Sequence, residues 1–335
     1  MTIDRSSLLV DESTVRQLIN MEDAIPLIDH MFKEMGHGRV LNPDKVTLDL
    51  GESGGWPFHD AFLNAMPAYL GSVKVAGQKF VGGFAGERAK LGLPFITALI
   101  ILVDGHLGNF ISVMDGTRIS NMRTGAQAAL AMHYILKNKH IKVGMFGAGQ
   151  QARQVVHAIS CLFEIDGLYV YDISPEQGQL FKEQMSEYVT GQIHLVDQPE
   201  QACQVDAIFT LTTAKKPIIK QEWVQKGTLI FPMGSYREID DQLILDADAI
   251  VVDHVNQALN RGILKPLHND NLITEADITA TFSQLSIGEN IDLDPTNQLI
   301  ICIPIGMGAT DVTLAYEVYQ RALKANLGTR FNFTD

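Results

Sequence analysis

The chain has 335 residues, 46 % of them hydrophobic, enough for one large core or two medium ones, and two domains are expected. A formal charge of −13 with 26 scattered Lys and Arg residues gives no basic footprint for nucleic acid or an anionic membrane. Three widely spaced cysteines, Cys161, Cys203 and Cys302, with no CxxC, argue against a disulfide framework or a zinc site.

The opening "MTIDRSSLLVDEST" lacks the basic and apolar regions of a signal peptide, and a cytoplasmic location is expected. Residues 14–35 carry apolar residues at helical intervals, with Glu22 or Asp23 able to begin a second helix that has Pro26 in its first turn. From about 40 to 115 the short runs "VTLDL", "VAGQKFVGGF" and "ITALIILV" read as a sheet, making the first domain α+β. The most apolar run, "LPFITALIILV" (93–103), is too short to cross a bilayer. The Ala-rich stretch 119–137 is the next predicted helix, and the domain junction is placed on it. Beyond it "IKVGMFG", "LYVYD", "IHLV", "DAIFTLTT", "TLIFPMG" and "AIVVD" are interleaved with helical runs, the pattern of a doubly wound parallel sheet. After "LIICIPIG" one closing helix is expected, with Thr310 or Asp311 capping its start.

Within this pattern "KVGMFGAGQQA" (142–152) places Gly147-x-Gly149-x-x-Ala152 between a strand and a helix. In a dinucleotide fold the first Gly makes the turn, the second admits the pyrophosphate, and the third small residue lets helix and strand pack. The free N–H groups of Ala148, Gly149, Gln150 and Gln151 then face the phosphates. Glycines at such a turn also arise for steric reasons alone, but the context favours the nucleotide: the next strand ends in Asp172, 23 residues beyond Gly149. A carboxylate there accepts ribose hydroxyls and repels a 2′-phosphate, favouring NAD over NADP; the alternative is that Asp172 caps the helix starting at Pro175. Thr212 and Thr213 border the cofactor or are a polar strand end, and Thr124 and Met233 complete the expected cofactor contacts.

The stretches "AMPAYL", "VAGQKFVGG", "GLPFITALIILVD", "MDGTRISNMRTGAQAALA", "GAGQQA", "ADAIVVD" and "GMGATDVTLAYEVYQRA" together resemble the ornithine cyclodeaminase/mu-crystallin family along nearly the whole chain. The ending is similar to a bacterial branch that includes a siderophore-pathway dehydrogenase of 2,3-diaminopropionate biosynthesis. The resemblance implies a Rossmann-type NAD-binding domain (121–307) and a substrate-binding and dimerisation domain (1–120 with 308–335), assembled as a homodimer. It implies NAD(P)-linked oxidation or reduction of a carbon–nitrogen bond beside a carboxylate. Lys79 of "GQKF" matches the family's active-site lysine and Arg123 of "MRTGA" its substrate-carboxylate arginine. Lys45 stands where many members have a second arginine, keeping charge but losing the bidentate fork. The segment "MGSYREIDD" (233–241) lacks the Gly-x-Asp-x-Pro-Gly-Lys pattern of ornithine-specific members, which argues against ornithine as substrate.

Hydride removal from a Cα needs a neutral amine and a clamped carboxylate, so Arg123 is expected to hold the carboxylate and a desolvated Lys79 to move the proton. Glu238 or Asp240, after "TLIFPM", is a candidate amine-directed base, with capping of "DQLILDAD" as the alternative. Asp311 either caps the last helix or reaches into the cleft, and Met66 is expected to wall the pocket. The ten histidines show no HxxxH, and no metal is assigned. The expected activity is oxidoreductase or cyclodeaminase action through an imine. Alternatives are a ketimine reductase of mu-crystallin type and a cofactor-binding protein without turnover.

Overall fold

The structure is a computed structural model that describes residues 5–51, 59–84, 87–234 and 237–333. It divides into one unit of Met1–Arg123 with Met307–Asp335 and another of Thr124–Gly306. The division falls within the helix Thr117–Ile135. No described helix is long and apolar enough to cross a membrane.

The first unit is built on a mixed sheet whose strands run in the order Thr329–Phe331, Ser7–Val10, Phe110–Asp115, Ile96–Asp104, Val75–Phe84, Ala61–Leu70 and Val40–Leu41, with Val46–Asp49 also paired to Ala61–Leu70. Only Ser7–Val10 with Phe110–Asp115 is parallel among these pairings. In Val75–Phe84 the residues Val75, Gly77, Lys79 and Val81 point inward and Phe80 outward, as the two-residue period of a strand requires. The closing helix Gly308–Ala325 packs on the inward face, against strands Ala61–Leu70, Val75–Phe84 and Ile96–Asp104 and the helix Met21–Gly36.

Two expected helix starts are corrected. The second helix begins at Met21, capped by Asn20; Asp23 completes a reciprocal capping box that satisfies two backbone donors at once, which neither Glu22 nor Asp23 achieves as a cap. The closing helix starts at Gly308 and takes its cap from elsewhere: Ala309 N–H donates to Asn42 Oδ1, while Thr310 Oγ1 donates to the Met307 carbonyl. Asp311 makes no cap.

The second unit is a parallel eight-stranded sheet ordered Gln192–Leu195, Glu164–Tyr171, His140–Phe146, Ala207–Thr210, Leu229–Pro232, Ile300–Ile303, Ala249–Val252, Ala280–Thr281. Numbered along the chain, the first five positions read 3-2-1-4-5, the Rossmann order, with direction reversing between His140–Phe146 and Ala207–Thr210. The central strands Ala207–Thr210, Leu229–Pro232, Ile300–Ile303 and Ala249–Val252 are buried at every position, so one face carries Ile208, Ile230 and Ile301 and the other a Phe209–Phe231 stack with centroids 4.5 Å apart. The fold is α/β: a Rossmann-type doubly wound parallel sheet plus an α+β unit.

Candidate active site

In the second unit the glycine turn sits at the carboxyl edge where strand order reverses, the place open α/β sheets keep for ligands. Gly147 has φ +97°, and a Cβ there would meet the Leu211 carbonyl oxygen at 2.7 Å, so no other residue fits without strain. Gly149 precedes the helix Gln150–Ser160 with no side-chain cap, and nothing lies within 4 Å of where its Cβ would be. The uncapped N–H groups and the open approach over Gly149 fit a pyrophosphate. Gly147 and Ala148 are buried, Gly149 and Gln150 exposed, and Gln151 intermediate.

Asp172 follows the strand Glu164–Tyr171 and is wired to this turn. Ala148 N–H donates to its Oδ2 at 2.6 Å and Ser174 N–H to its Oδ1 at 2.8 Å. The helix Pro175–Met185 is capped instead by Ser174, whose hydroxyl accepts from Gln177 N–H, so the capping alternative for Asp172 is set aside. Arg153, unremarked in the sequence, donates from Nη1 to the Ala148 carbonyl at 2.6 Å and from Nε to Gln184 Oε1, bracing the turn from beneath. Three residues between Ala148-Gly149 and Arg153 put it one turn into the helix, the only sequence signal it offers.

Further along the same edge Glu238 is fully buried, and its carboxylate accepts from Thr210 Oγ1 (2.7 Å), Thr212 N (2.8 Å), Thr212 Oγ1 (2.6 Å) and Gly234 N (2.7 Å). Neither Glu238 nor Asp240 caps the helix Asp241–Leu245, where Asp240 occupies the cap position without a side-chain bond. Thr213 is exposed, and Met233 N–H donates to the Thr210 carbonyl. Ser235 and Tyr236, inside the segment expected to differ from ornithine-specific members, lie outside the described residues. Thr124 is the first residue of this unit and half-buried.

The first unit holds the second charged cluster. Lys79 Nζ is fully buried, 2.8 Å from Asp311 Oδ1 and 2.8 Å from Oδ2, and donates to Ser120 Oγ at 2.9 Å. Arg123 Nε donates to Asp311 Oδ1 at 3.2 Å. Asp311 Oδ1 thus receives both side-chain hydrogen bonds, while Oδ2 is held by the Lys79 charge outside hydrogen-bond geometry. The approach of the closing helix makes the cluster possible: a Cβ at Gly308 would meet the Met66 carbonyl oxygen at 2.5 Å, and one at Gly77 would meet Val312 Cγ2 at 2.9 Å. Met66 lies opposite Lys79 on the neighbouring strand, in a small apolar cluster with Val81 and Ala98.

Burial, the Arg123 charge and, more weakly, Lys45 push the Lys79 ammonium down to about 7, against the opposing pull of Asp311. A lysine so tuned exchanges its proton near neutral pH. With Lys79 protonated, two cations face one carboxylate, and one positive charge is left uncompensated. Ser120 was missed, although its place three residues before Arg123 puts both on one helix face.

The profile of the ornithine cyclodeaminase/mu-crystallin family matches residues 5–326. The alanine dehydrogenase of Archaeoglobus fulgidus is 30 % identical over 331 residues, covering 98 % of this chain and 98 % of the relative. Among solved structures, Thermococcus litoralis Delta(1)-pyrroline-2-carboxylate reductase in complex with NADH and L-proline superposes with a TM-score of 0.88 at 28 % identity, covering 96 % of this chain and 99 % of that one. An archaeal alanine dehydrogenase dimer with bound NAD gives 0.89 at 29 % identity, covering 98 % and 100 %.

Proposed function

Because the chain belongs to the ornithine cyclodeaminase/mu-crystallin family, we propose that it is an NAD-dependent oxidoreductase interconverting an α-amino acid and its imine. The observation that carries this reading is the buried Lys79–Asp311–Arg123 cluster, in which a lysine tuned to about 7 stands beside an arginine with one positive charge to spare. The similar proteins act on, or are bound to, small α-amino or imino carboxylates, as their names state.

The substrate carboxylate is the second anion of the cluster, held by Arg123 with Lys45 nearby, and Met66 walls the apolar side. Neutral Lys79 takes a proton from the substrate amine in the oxidative direction; the Lys79 ammonium returns it to the imine nitrogen in the reductive one. NAD, when bound, accepts or supplies the hydride. The diphosphate would rest on the N–H groups of Gly149, Gln150 and Gln151, because the expected Ala148 N–H is already taken by Asp172, whose carboxylate has lone pairs beyond those used by Ala148 and Ser174 to accept ribose hydroxyls. A 2′-phosphate would meet that carboxylate, so NAD is the preferred cofactor.

The test follows NADH absorbance with a panel of L-amino acids, N-alkyl amino acids and cyclic imines. Steady formation of NADH identifies a dehydrogenase and rapid consumption with imines a reductase. Ammonia release from a diamino acid at constant NADH identifies a cyclodeaminase. NAD binding with none of these responses overturns the enzymatic reading.

The working assembly is a homodimer formed through the first unit. On the outward face of its sheet Val46, Ala65, Phe80 and Leu99 form one cross-strand row, and Val46, Phe80 and Leu99 are 68 %, 46 % and 56 % exposed. Phe80→Glu is expected to yield monomers by light scattering, and a monomeric parent protein would exclude this assembly.

A further inference from the structure

Resting on the NAD-binding reading, we propose that Glu238 is a positioning residue that fixes the nicotinamide half of the cofactor site, in place of the proton-taking role its position in the sequence suggests. A carboxylate offers about four lone pairs, and all four directions at Glu238 are taken by N–H or O–H donors. It has no acceptor capacity left for a substrate amine.

The donors come from the ends of two adjacent strands. Thr210 closes the strand Ala207–Thr210 and Thr212 follows it, while Gly234 lies just past Leu229–Pro232. Glu238 is itself anchored, since its carbonyl accepts from Ile218 N–H at 2.8 Å and the next residue, Ile239, bridges to Ile219. A side chain on Gly234 would collide with the Glu238 carboxylate, so these two residues depend on each other. Thr212 in turn packs over the phosphate turn, its Cγ2 3.3 Å from where a Gly147 Cβ would stand. One buried anion thus holds the starts of two loops together.

These strands are the fourth and fifth of the unit along the chain, belonging to the second mononucleotide-binding half of a Rossmann sheet, whereas Asp172 closes a strand of the first half. The knot therefore shapes the nicotinamide side and leaves the adenosine side to Gly149 and Asp172.

The experiment measures the affinity of Glu238→Gln for NAD and for AMP. The amide keeps the size but turns an N–H₂ group toward two donors, so NAD affinity is expected to fall about tenfold while AMP affinity stays within about twofold. Thr210→Val and Thr212→Val supply milder versions of the same lesion should Glu238→Gln not fold, and are expected to show the same selectivity. Equal loss of NAD and AMP affinity, or no loss of either, overturns the proposal. Loss of kcat by a hundredfold or more with NAD affinity intact also overturns it and restores Glu238 as a base. Failure of the parent protein to bind NAD at all would instead refute the cofactor reading on which the proposal rests.

Discussion

Glu238 in one unit and Asp311 in the other are both fully buried carboxylates, yet their surroundings are opposite. Glu238 is saturated by four neutral donors and tied to backbone on both sides. Asp311 faces two cations and, with Lys79 protonated, leaves one positive charge of its cluster uncompensated. The contrast separates two uses of buried charge. A satisfied ion fixes geometry because every change costs a hydrogen bond, while an unsatisfied group favours binding something that completes it.

The largest effect is expected at Lys79. Lys79→Ala should reduce turnover by about 10³-fold, with NAD affinity by titration nearly unchanged. Equal loss of both would mean that the lysine is structural and that the contrast drawn above fails.

Asp311→Asn removes the only carboxylate in contact with Lys79 and Arg123 among the described residues. Leaving the buried Arg123 guanidinium facing an amide, with Lys79 shedding its proton, should destabilise the fold by about 3–5 kcal/mol in chemical denaturation. Because Asp311 favours the Lys79 ammonium, the titration seen in kcat/KM should move to lower pH by about 1 unit or more. In the parent protein amino-acid oxidation should fade as pH drops below about 7, and imine reduction should fade above it. An unchanged profile in the variant would separate Asp311 from the proton.

Lys79 also makes stability depend on pH. Its folded value of about 7 lies below the ordinary 10.5, so between these values the unfolded chain binds a proton that the folded one does not. Stability therefore rises with pH across that window, and below about 7 both states are protonated and this contribution is flat. The melting temperature of the parent protein, relative to Lys79→Met, should climb between pH 7 and pH 9.5. The smallest effect belongs to the saturated ion: Thr210→Val removes one of its donors and should cost about 1 kcal/mol, with no change in the pH profile.

Much of this was legible in the sequence, for reasons that differ between the units. The parallel sheet announces itself through apolar runs such as "AIVVD", and Gly147 and Gly149 through their place between a strand and a helix. Lys79 and Arg123 were legible because their neighbours match a known family. Asp311 was legible only as a cap or a cleft residue, and its pairing with Lys79 and Arg123 was not, since it comes from 232 residues away. The bonding of Glu238 was hidden in the same way: Thr210 and Gly234 become its neighbours only once two strands lie side by side. The strand Ala61–Leu70 was obscured by Pro67, which falls in the gap between the segment paired to Val46–Asp49, ending at Ala65, and the segment paired to Val40–Leu41, starting at Tyr69.

The interrupted path of the first unit carries a consequence for biosynthesis. Lys79 leaves the ribosome 232 residues ahead of Asp311, and Asp23 leaves 298 ahead of the Arg321 that clasps it. A nascent chain therefore has the whole glycine turn and Asp172 in hand while the Lys79–Asp311 pair is still half unwritten, so the lysine meets its counter-ion only after the second unit has been made.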